Sequence, residues 1–338
     1  MQRLPARFLI TLMLLFASAL AAAQTATDGL PSWNNGAAKA AIVAFVQRVT
    51  TPGTPDFVPA PERIATFDND GTLWSEQPLY FQGMFMLDRV RALAPEHPEW
   101  RTQPGPFRAA LNGDVKGVMA SGMPGIEAII AATHAGMSAD DFEATVHAWV
   151  ATARHPTKNV PYTQLVFQPM LELMNYLRAN DFKTYIVSGG GADFMRAFAL
   201  DVYGIPPEQV IGSTLDAKYE LRSGVPTIVK TPKIVLIDDE AGKPVGIYRH
   251  IGRRPIFAAG NSDGDKQMLE YTTVPRSAQD TRPRLGMLVR HTDGEREWAY
   301  DRKSHIGTLN QALDDAKGRG WLVVDMKNDW LSVFPPAK

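Results

Sequence analysis

Apolar positions along this 338-residue chain change their period from segment to segment, and the changes mark the elements. "FLITLMLLFASALA", residues 8–21, is one apolar run, too short and too rich in alanine for a spanning helix. "SWNNGAAKAAIVAFVQRVT" then repeats apolar residues at helical spacing, with Asn34 or Asn35 near its start. A Pro-rich turn, "TPGTPDFVPAPE", leads into "RIATF", whose continuous apolar character predicts a short buried strand. From about Gln77 to Leu165 the spacing is helical and mostly free of strands. "LYFQGMFMLDRVRALA", "GPFRAALNGDVKGVMAS", "GIEAIIAATHAGM" and "SADDFEATVHAWVATARH" carry it. Ser138 is an N-cap candidate there, with Asp140 and Asp141 in the first turn.

Beyond that point helix and strand alternate. "PMLELMNYLRANDF" reads as a helix, "KTYIVS" as a strand, "GADFMRAFALDVYG" as a helix and "QVIGSTL" as a strand. "KYELRSGVPTIVK" reads as a hairpin, and "RRPIFAAG", "RLGMLVRH" and "WLVVDMK" as further strands with helices between them. Such alternation implies a parallel sheet covered on both faces. The pattern predicts an α/β core interrupted by a helical insert.

The two ends and the composition narrow the setting. Arg3 and Arg7 precede the apolar run and "ALAAAQ" follows it, the layout of a Sec-type export signal cut after Ala23. The mature protein is therefore expected in the periplasm or outside the cell, with no stable membrane association once the signal is removed. The chain has no cysteine, which excludes disulfides, thiol catalysis and zinc–thiolate sites. Its seven histidines are scattered, without H-E-x-x-H or H-x-H, so a histidine-built zinc site is not expected. With a formal charge of −1 and no basic block, nothing points to nucleic acid.

The candidate chemistry lies where strands end. In "FDNDGTLW", Asp68 and Asp70 stand two apart at the end of the first predicted strand, so both side chains point the same way. Ligands of open α/β sheets bind outside those carboxyl ends. Two converging carboxylates repel unless they share a cation, and hard oxygen ligands beside a phosphate favour Mg²⁺. A Ca²⁺ loop fails by register: with Gly71 at loop position 6, Thr66 takes the place of the first ligand and Gln77 that of the bidentate acid. A competing motif lies in "FAAGNSDGDKQML", where Gly260 to Gly264 spell G-x-S-x-G, the elbow of a serine hydrolase. Ser262, Asp293 and His305 supply a triad in the right chain order, but there is no HGGG-type oxyanion loop. That reading also leaves Asp68, Asp70 and the glycines at 189–191 without a role.

"DNDGTL" at 68–73 resembles motif I of the haloacid dehalogenase-like (HAD) hydrolases. "YIVSGGG" is similar to motif II, Lys243 in "AGKPVGIY" to the motif III lysine, and "GNSDGD" to motif IV, in the family's order. The resemblance implies an α/β, Rossmann-like parallel core from 24–77 and 166–338, with a helical cap inserted at 78–165, like that of the phosphoserine phosphatase-like branch. It further implies a Mg²⁺-dependent phosphatase acting on a small phosphorylated metabolite. Asp68 would be the nucleophile and Asp70 the acid and base. Ser188, Gly189 and Gly190 would bind phosphate at a helix N-terminus, with the Gly191 amide beside them. Lys243 would neutralise the phosphoryl charge. Asp68, Asp70, Asn261 and Asp265 would hold Mg²⁺, Asp265 being preferred to Asp263 because "KQML" follows it in the family's register.

Two features depart from the family pattern. Asn261 stands where the family usually has Asp, which removes one negative charge. Glu76 lies one residue short of the acid that reads a substrate amine in that branch, so it is a candidate for substrate specificity or an exposed flap residue. The alternatives are a phosphotransferase using the same covalent intermediate and a degenerate binding protein that keeps the fold.

Overall fold

The computed structural model describes residues 29–336. The expected export segment, residues 1–23, lies outside them. The described residues open with helix α1 (Ala37–Thr50) and strand β1 (Ile64–Phe67). Gly36 caps α1, two residues or less beyond the asparagines expected near its start. Six helices follow without a strand: α2 (Phe81–Leu93), α3 (Glu99–Thr102), α4 (Pro106–Leu111), α5 (Val115–Ala120), α6 (Gly122–His134) and α7 (Ala139–Thr152). Then come α8 (Gln168–Ala179), β2 (Lys183–Gly191), α9 (Ala192–Tyr203), β3 (Val210–Arg222) and β4 (Val225–Leu236). The chain closes with α10 (Gly242–Ile251), β5 (Phe257–Gly260), α11 (Lys266–Thr273), β6 (Leu285–Arg290), α12 (Gln311–Arg319), β7 (Leu322–Asp325) and α13 (Met326–Asp329).

Among the described residues the strands form one seven-stranded sheet in the order β4-β3-β2-β1-β5-β6-β7. Every pairing is parallel except β3 with β4. Strand side chains alternate between faces, and two apolar clusters record that alternation. Ile186, Phe257, Ala259, Met287 and Val289 pack with α1, α8 and α9 on one side. Their neighbours Val187, Ala258 and Leu288 pack with α10, α11 and α12 on the other. Strands buried on both faces read as unbroken apolar runs, which is why "RIATF" and "IFAAG" carry no polar alternation. The expected α/β core with helices on both faces is thus present.

Two elements differ from the sequence pattern. "QVIGSTL" and the first arm of the expected hairpin are one continuous strand, β3, which turns back at Ser223 and Gly224, both with positive φ. Asn-Gly-like pairs of left-handed residues suit such a two-residue turn. The segment "GPFRAALNGDVKGVMAS" breaks into α4 and α5 at Gly113, with φ +69°, and Asp114 caps α5 by accepting the Gly117 N–H. Ser138 caps α7 as its spacing predicts, accepting the Asp141 N–H at 3.0 Å.

The helices between β1 and β2 hold an apolar cluster of their own around Leu87, Val90, Trp100 and Ile129. They are tied to the hairpin by backbone bonds from Gly136 N–H to the Lys230 carbonyl and from Lys230 N–H to the Met137 carbonyl. Among the described residues no helix is long and apolar enough to cross a membrane.

Candidate active site

The parallel neighbours β2, β1 and β5 end side by side, so the residues that follow them converge. Asp68 extends β1 by one step, its N–H bonded to the Ala259 carbonyl of β5 at 2.9 Å. Ser188 lies near the end of β2 and Asn261 directly after β5. Lys243 comes from α10 and is 2% exposed. Its ammonium donates to Asp68 Oδ1 at 2.6 Å, Asp265 Oδ1 at 2.7 Å and the Val187 carbonyl at 2.9 Å. Three acceptors satisfy its three hydrogens.

Asp70 sits beside this pair, oriented by the Trp74 indole, which donates to Oδ1 at 2.8 Å. Its other oxygen faces Gly190, where an added Cβ would lie 3.6 Å from Oδ2. Gly71 turns the loop with φ +76°, and a Cβ there would meet Asn261 Nδ2 at 2.0 Å, so only glycine fits. Ser188 Oγ accepts the Gly190 N–H at 3.1 Å. The Gly191 N–H donates to Gln82 Oε1 at 2.6 Å. The structure therefore brings Ser188, Gly189 and Gly190 to the carboxylates, while the Gly190 and Gly191 amides already have acceptors within the protein.

In the "GNSDGD" loop each side chain takes a different task. Asp265, fully buried, accepts the Asn261 and Ser262 N–H groups on Oδ2 at 2.9 and 3.0 Å and Lys243 on Oδ1. Asp263 turns away to cap α12, accepting the Asn310, Gln311 and Ala312 N–H groups. Ser262 donates to Asp265 and accepts the Gly264 N–H, a capping arrangement. Its supposed triad partner Asp293 is paired with Arg296.

The Asn261 carboxamide is held at both ends. Its Nδ2 donates to Glu76 Oε1 at 2.8 Å, and its Oδ1 accepts from the Thr72 hydroxyl at 3.2 Å. A carboxylate only accepts, so Glu76 fixes the amide with its oxygen on the Asp68 side. Glu76 is 1% exposed, not a solvated flap, and also accepts from Tyr300 at 2.6 Å.

Several supporting side chains carry no motif. His291, just past β6, donates from Nε2 to the Gly71 carbonyl at 2.7 Å and stacks on Tyr300 with centroids 4.3 Å apart. Tyr203 of α9 donates to Asn69 at 3.0 Å. Trp74, directly after the motif I residues, is 1% exposed and reaches Asp70 from within the same loop. His291, Tyr300 and Gln82 gave no signal, because their partners lie far away in sequence.

Burial pushes Asp68 up from its ordinary range, the Asp265 charge adds to this, and Lys243 opposes it. Burial likewise raises Asp70 to about 6, and Glu76 well above its usual range. Burial alone would lower Lys243, but the Asp265 and Asp68 carboxylates outweigh it and hold the ammonium charged.

This constellation, carboxylates at the end of β1 and a buried lysine reaching in from a later helix, falls within a recognised class of hydrolase. The chain matches the family model of haloacid dehalogenase-like hydrolases over residues 65–270, and it belongs to that family. Among solved structures it is similar to a conserved protein of unknown function from Anaerococcus prevotii DSM 20548. That match has 15% identity, 86% coverage of this chain, 91% of the other, and a TM-score of 0.53. A protein of unknown function from Bordetella pertussis Tohama I matches at 16% identity, 78% and 99% coverage, and a TM-score of 0.47. A phosphoserine phosphohydrolase-like protein from Francisella tularensis subsp. tularensis SCHU S4 matches at 13% identity, 76% and 98% coverage, and 0.37. No curated protein matches the chain.

Proposed function

We propose that this protein is an exported, Mg²⁺-dependent phosphomonoesterase, working through a phosphorylated Asp68, with α2–α7 as the cap over its site. The observation that carries the reading is the Lys243 ammonium clamped between Asp68 and Asp265, directly beside Asp70 and Ser188.

In the first half-reaction an Asp68 oxygen attacks phosphorus, the bond from phosphorus to the leaving oxygen breaks, and Asp70 gives that oxygen its proton. Lys243 stabilises the negative charge spread over Asp68 and the transferring phosphoryl group. Ser188 accepts from Gly190 and so keeps its own hydrogen for a phosphate oxygen. In the second half-reaction Asp70 takes a proton from water, whose oxygen attacks the same phosphorus. Asp68 is restored and inorganic phosphate leaves.

The residues present fit a divalent cation. Asp68 Oδ2 and Asn261 Oδ1 share the single hydrogen of Thr72, at 3.4 and 3.2 Å, so neither oxygen is well satisfied. Three buried acids, Asp68, Glu76 and Asp265, and the half-buried Asp70 surround this place, and Lys243 pairs with two of them, Asp68 and Asp265. No cluster of three His, Asp or Glu side chains suits a metal among the described residues. A cation here would therefore draw on Asp68, Asn261 and the Asp70 backbone carbonyl. When bound, Mg²⁺ would neutralise phosphate charge as a Lewis acid.

The test is phosphate release from p-nitrophenyl phosphate with Mg²⁺ or EDTA, beside Asp68→Asn and Ser262→Ala. Turnover should require Mg²⁺, vanish in Asp68→Asn and survive Ser262→Ala. Hydrolysis of p-nitrophenyl acetate that ignores EDTA and is lost in Ser262→Ala would reverse the assignment. Added alcohols that collect the phosphoryl group in place of water would make it a phosphotransferase. Export is checked by N-terminal sequencing of protein recovered outside the cytoplasm; an intact Met1 there rules out cleavage after Ala23.

A further inference from the structure

We propose that the substrate's leaving group is a single uncharged apolar chain, alkyl or aryl, and not an amino acid or a sugar. This assignment rests on the phosphatase reading and adds a substrate class to it.

A cavity of about 460 Å³ opens from Asp68, Asp70 and Ser188 and runs between the inserted helices and β4. That size suits a small-molecule ligand and leaves no room for a diacyl lipid. Beyond the phosphate end its walls are thioethers and methyl groups: Met86 from α2, Val118 from α5, Ile130 from α6 and Ile234 from β4. Its rim is apolar as well, with Met119, Met123 and Ile237 at 50%, 47% and 53% exposure. Methionines adapt to varied apolar shapes.

Most of the charged and polar groups that face this space are already engaged; the Tyr80 hydroxyl accepts from the Gly307 N–H, and Gln82, beside Gly191 at the phosphate end, is held through its Oε1. Asp193 pairs with Lys230 and with Arg196, and Lys230 also lies over the Phe142 ring, 4.8 Å from its centroid. His134 shares a hydrogen bond with Thr133 at 2.7 Å. Glu76 holds Asn261 and accepts from Tyr300. Asp239, the remaining acid, is exposed and lies beside Gly189 at the phosphate end. The wall hydroxyls of Ser213 and Thr214 donate to the Gly189 and Gly212 carbonyls. An amino-acid leaving group would bring an ammonium and a carboxylate into this pocket, where Lys230 is already paired with Asp193 and the remaining acid, Asp239, stands exposed at the phosphate end, a costly desolvation. Sugar hydroxyls would lose water for methyl groups. An apolar chain loses only its contact with water, which is favourable.

The experiment measures kcat/KM for phosphate release from ethyl, butyl, hexyl and octyl phosphate, phosphoserine and glucose 6-phosphate. In parallel, calorimetry measures the affinity of the matching n-alkyl phosphonates, which bind without turnover. We expect kcat/KM and phosphonate affinity to rise about fourfold per methylene until the cavity is filled. Phosphoserine should fall at least about 100-fold below hexyl phosphate. Met119→Asp and Met123→Asp, both at the half-exposed rim, should flatten the dependence on chain length. A flat series, or preference for phosphoserine or glucose 6-phosphate, overturns the apolar class and leaves the phosphatase reading intact. If no ester releases phosphate while phosphonate affinity climbs with chain length, the phosphatase reading falls and the apolar subsite stands.

Discussion

Lys243 shows how far a single side chain depends on its partners. A lysine in "AGKPVGIY" reads equally as a surface residue; here it is buried and meets two carboxylates. Replacing it with methionine leaves Asp68 and Asp265 without their counter-charge, and breaking a buried pair this way costs about 3–5 kcal/mol. Lys243→Met should therefore lose roughly that much in urea unfolding, together with its phosphate release; unchanged stability would mean the clamp is not formed in solution. The second residue-scale device is the Glu76–Asn261 pair. Asn261 lacks the charge that an aspartate supplies, and Glu76, 2.8 Å from its amide, holds that amide in one orientation. Glu76→Gln should weaken Mn²⁺ binding about 10-fold or more, read by the electron-spin signal of free Mn²⁺. The swapped double variant Glu76→Gln/Asn261→Asp should recover it. Equal binding by the single variant and the wild type would show that Glu76 does not hold the amide for a cation.

At the scale of elements, helix α6 carries a pH-dependent cost. His134 lies at its end, packed between the rings of Phe85 and Phe142. Burial first, then the Lys230 and Arg89 charges, lower its pKa from 6.5 to about 3, while Asp193 opposes them. Between those two values the unfolded chain binds a proton that the folded one refuses, so stability falls as pH falls. The slope is at most about 1.4 kcal/mol per pH unit. Denaturation midpoints from pH 7 to 4 should show this limb in wild type and a shallower one in His134→Leu; identical slopes would place the loss elsewhere. Gly71 tests the motif I loop. With φ +76° and Asn261 and Glu76 packed where a Cβ would go, Gly71→Ala should lower the melting temperature and abolish phosphate release together. Retained activity would show that the loop has slack. The same scale shows where sequence patterns run short. Apolar period located every strand of the sheet, but it could not show that β3 runs unbroken from the sheet into the hairpin, because both stretches are compatible with one strand or two.

Over the whole molecule, the segment after β6 braces the site from below. Arg296 donates to the carbonyls of Met326, Lys327, Trp330 and Leu331 and pairs with Asp293, fixing the stretch that delivers His291 and Tyr300. Arg296→Met should lower the melting temperature by several degrees, given about 2–4 °C per kcal/mol for a chain of this size. Phosphate release should fall with it; lower stability at full activity would mean that the brace and the site are independent. Sequence alone determined the alternation of strand and helix, the helical insert, and the places where Asp68, Asp70, Ser188 and the "GNSDGD" loop stand at strand ends. These follow from local period and turn chemistry, which a chain carries in consecutive residues. Only the tertiary structure decided which side chains meet. It separated Asp263, which caps α12, from Asp265, which faces Lys243, and it turned Glu76 onto Asn261. It also brought Tyr300 and His291 beneath the motif I loop, more than two hundred positions away. Contacts between residues so distant in sequence leave no periodic trace, since each is set by how the sheet and its helices pack and not by the neighbours along the chain.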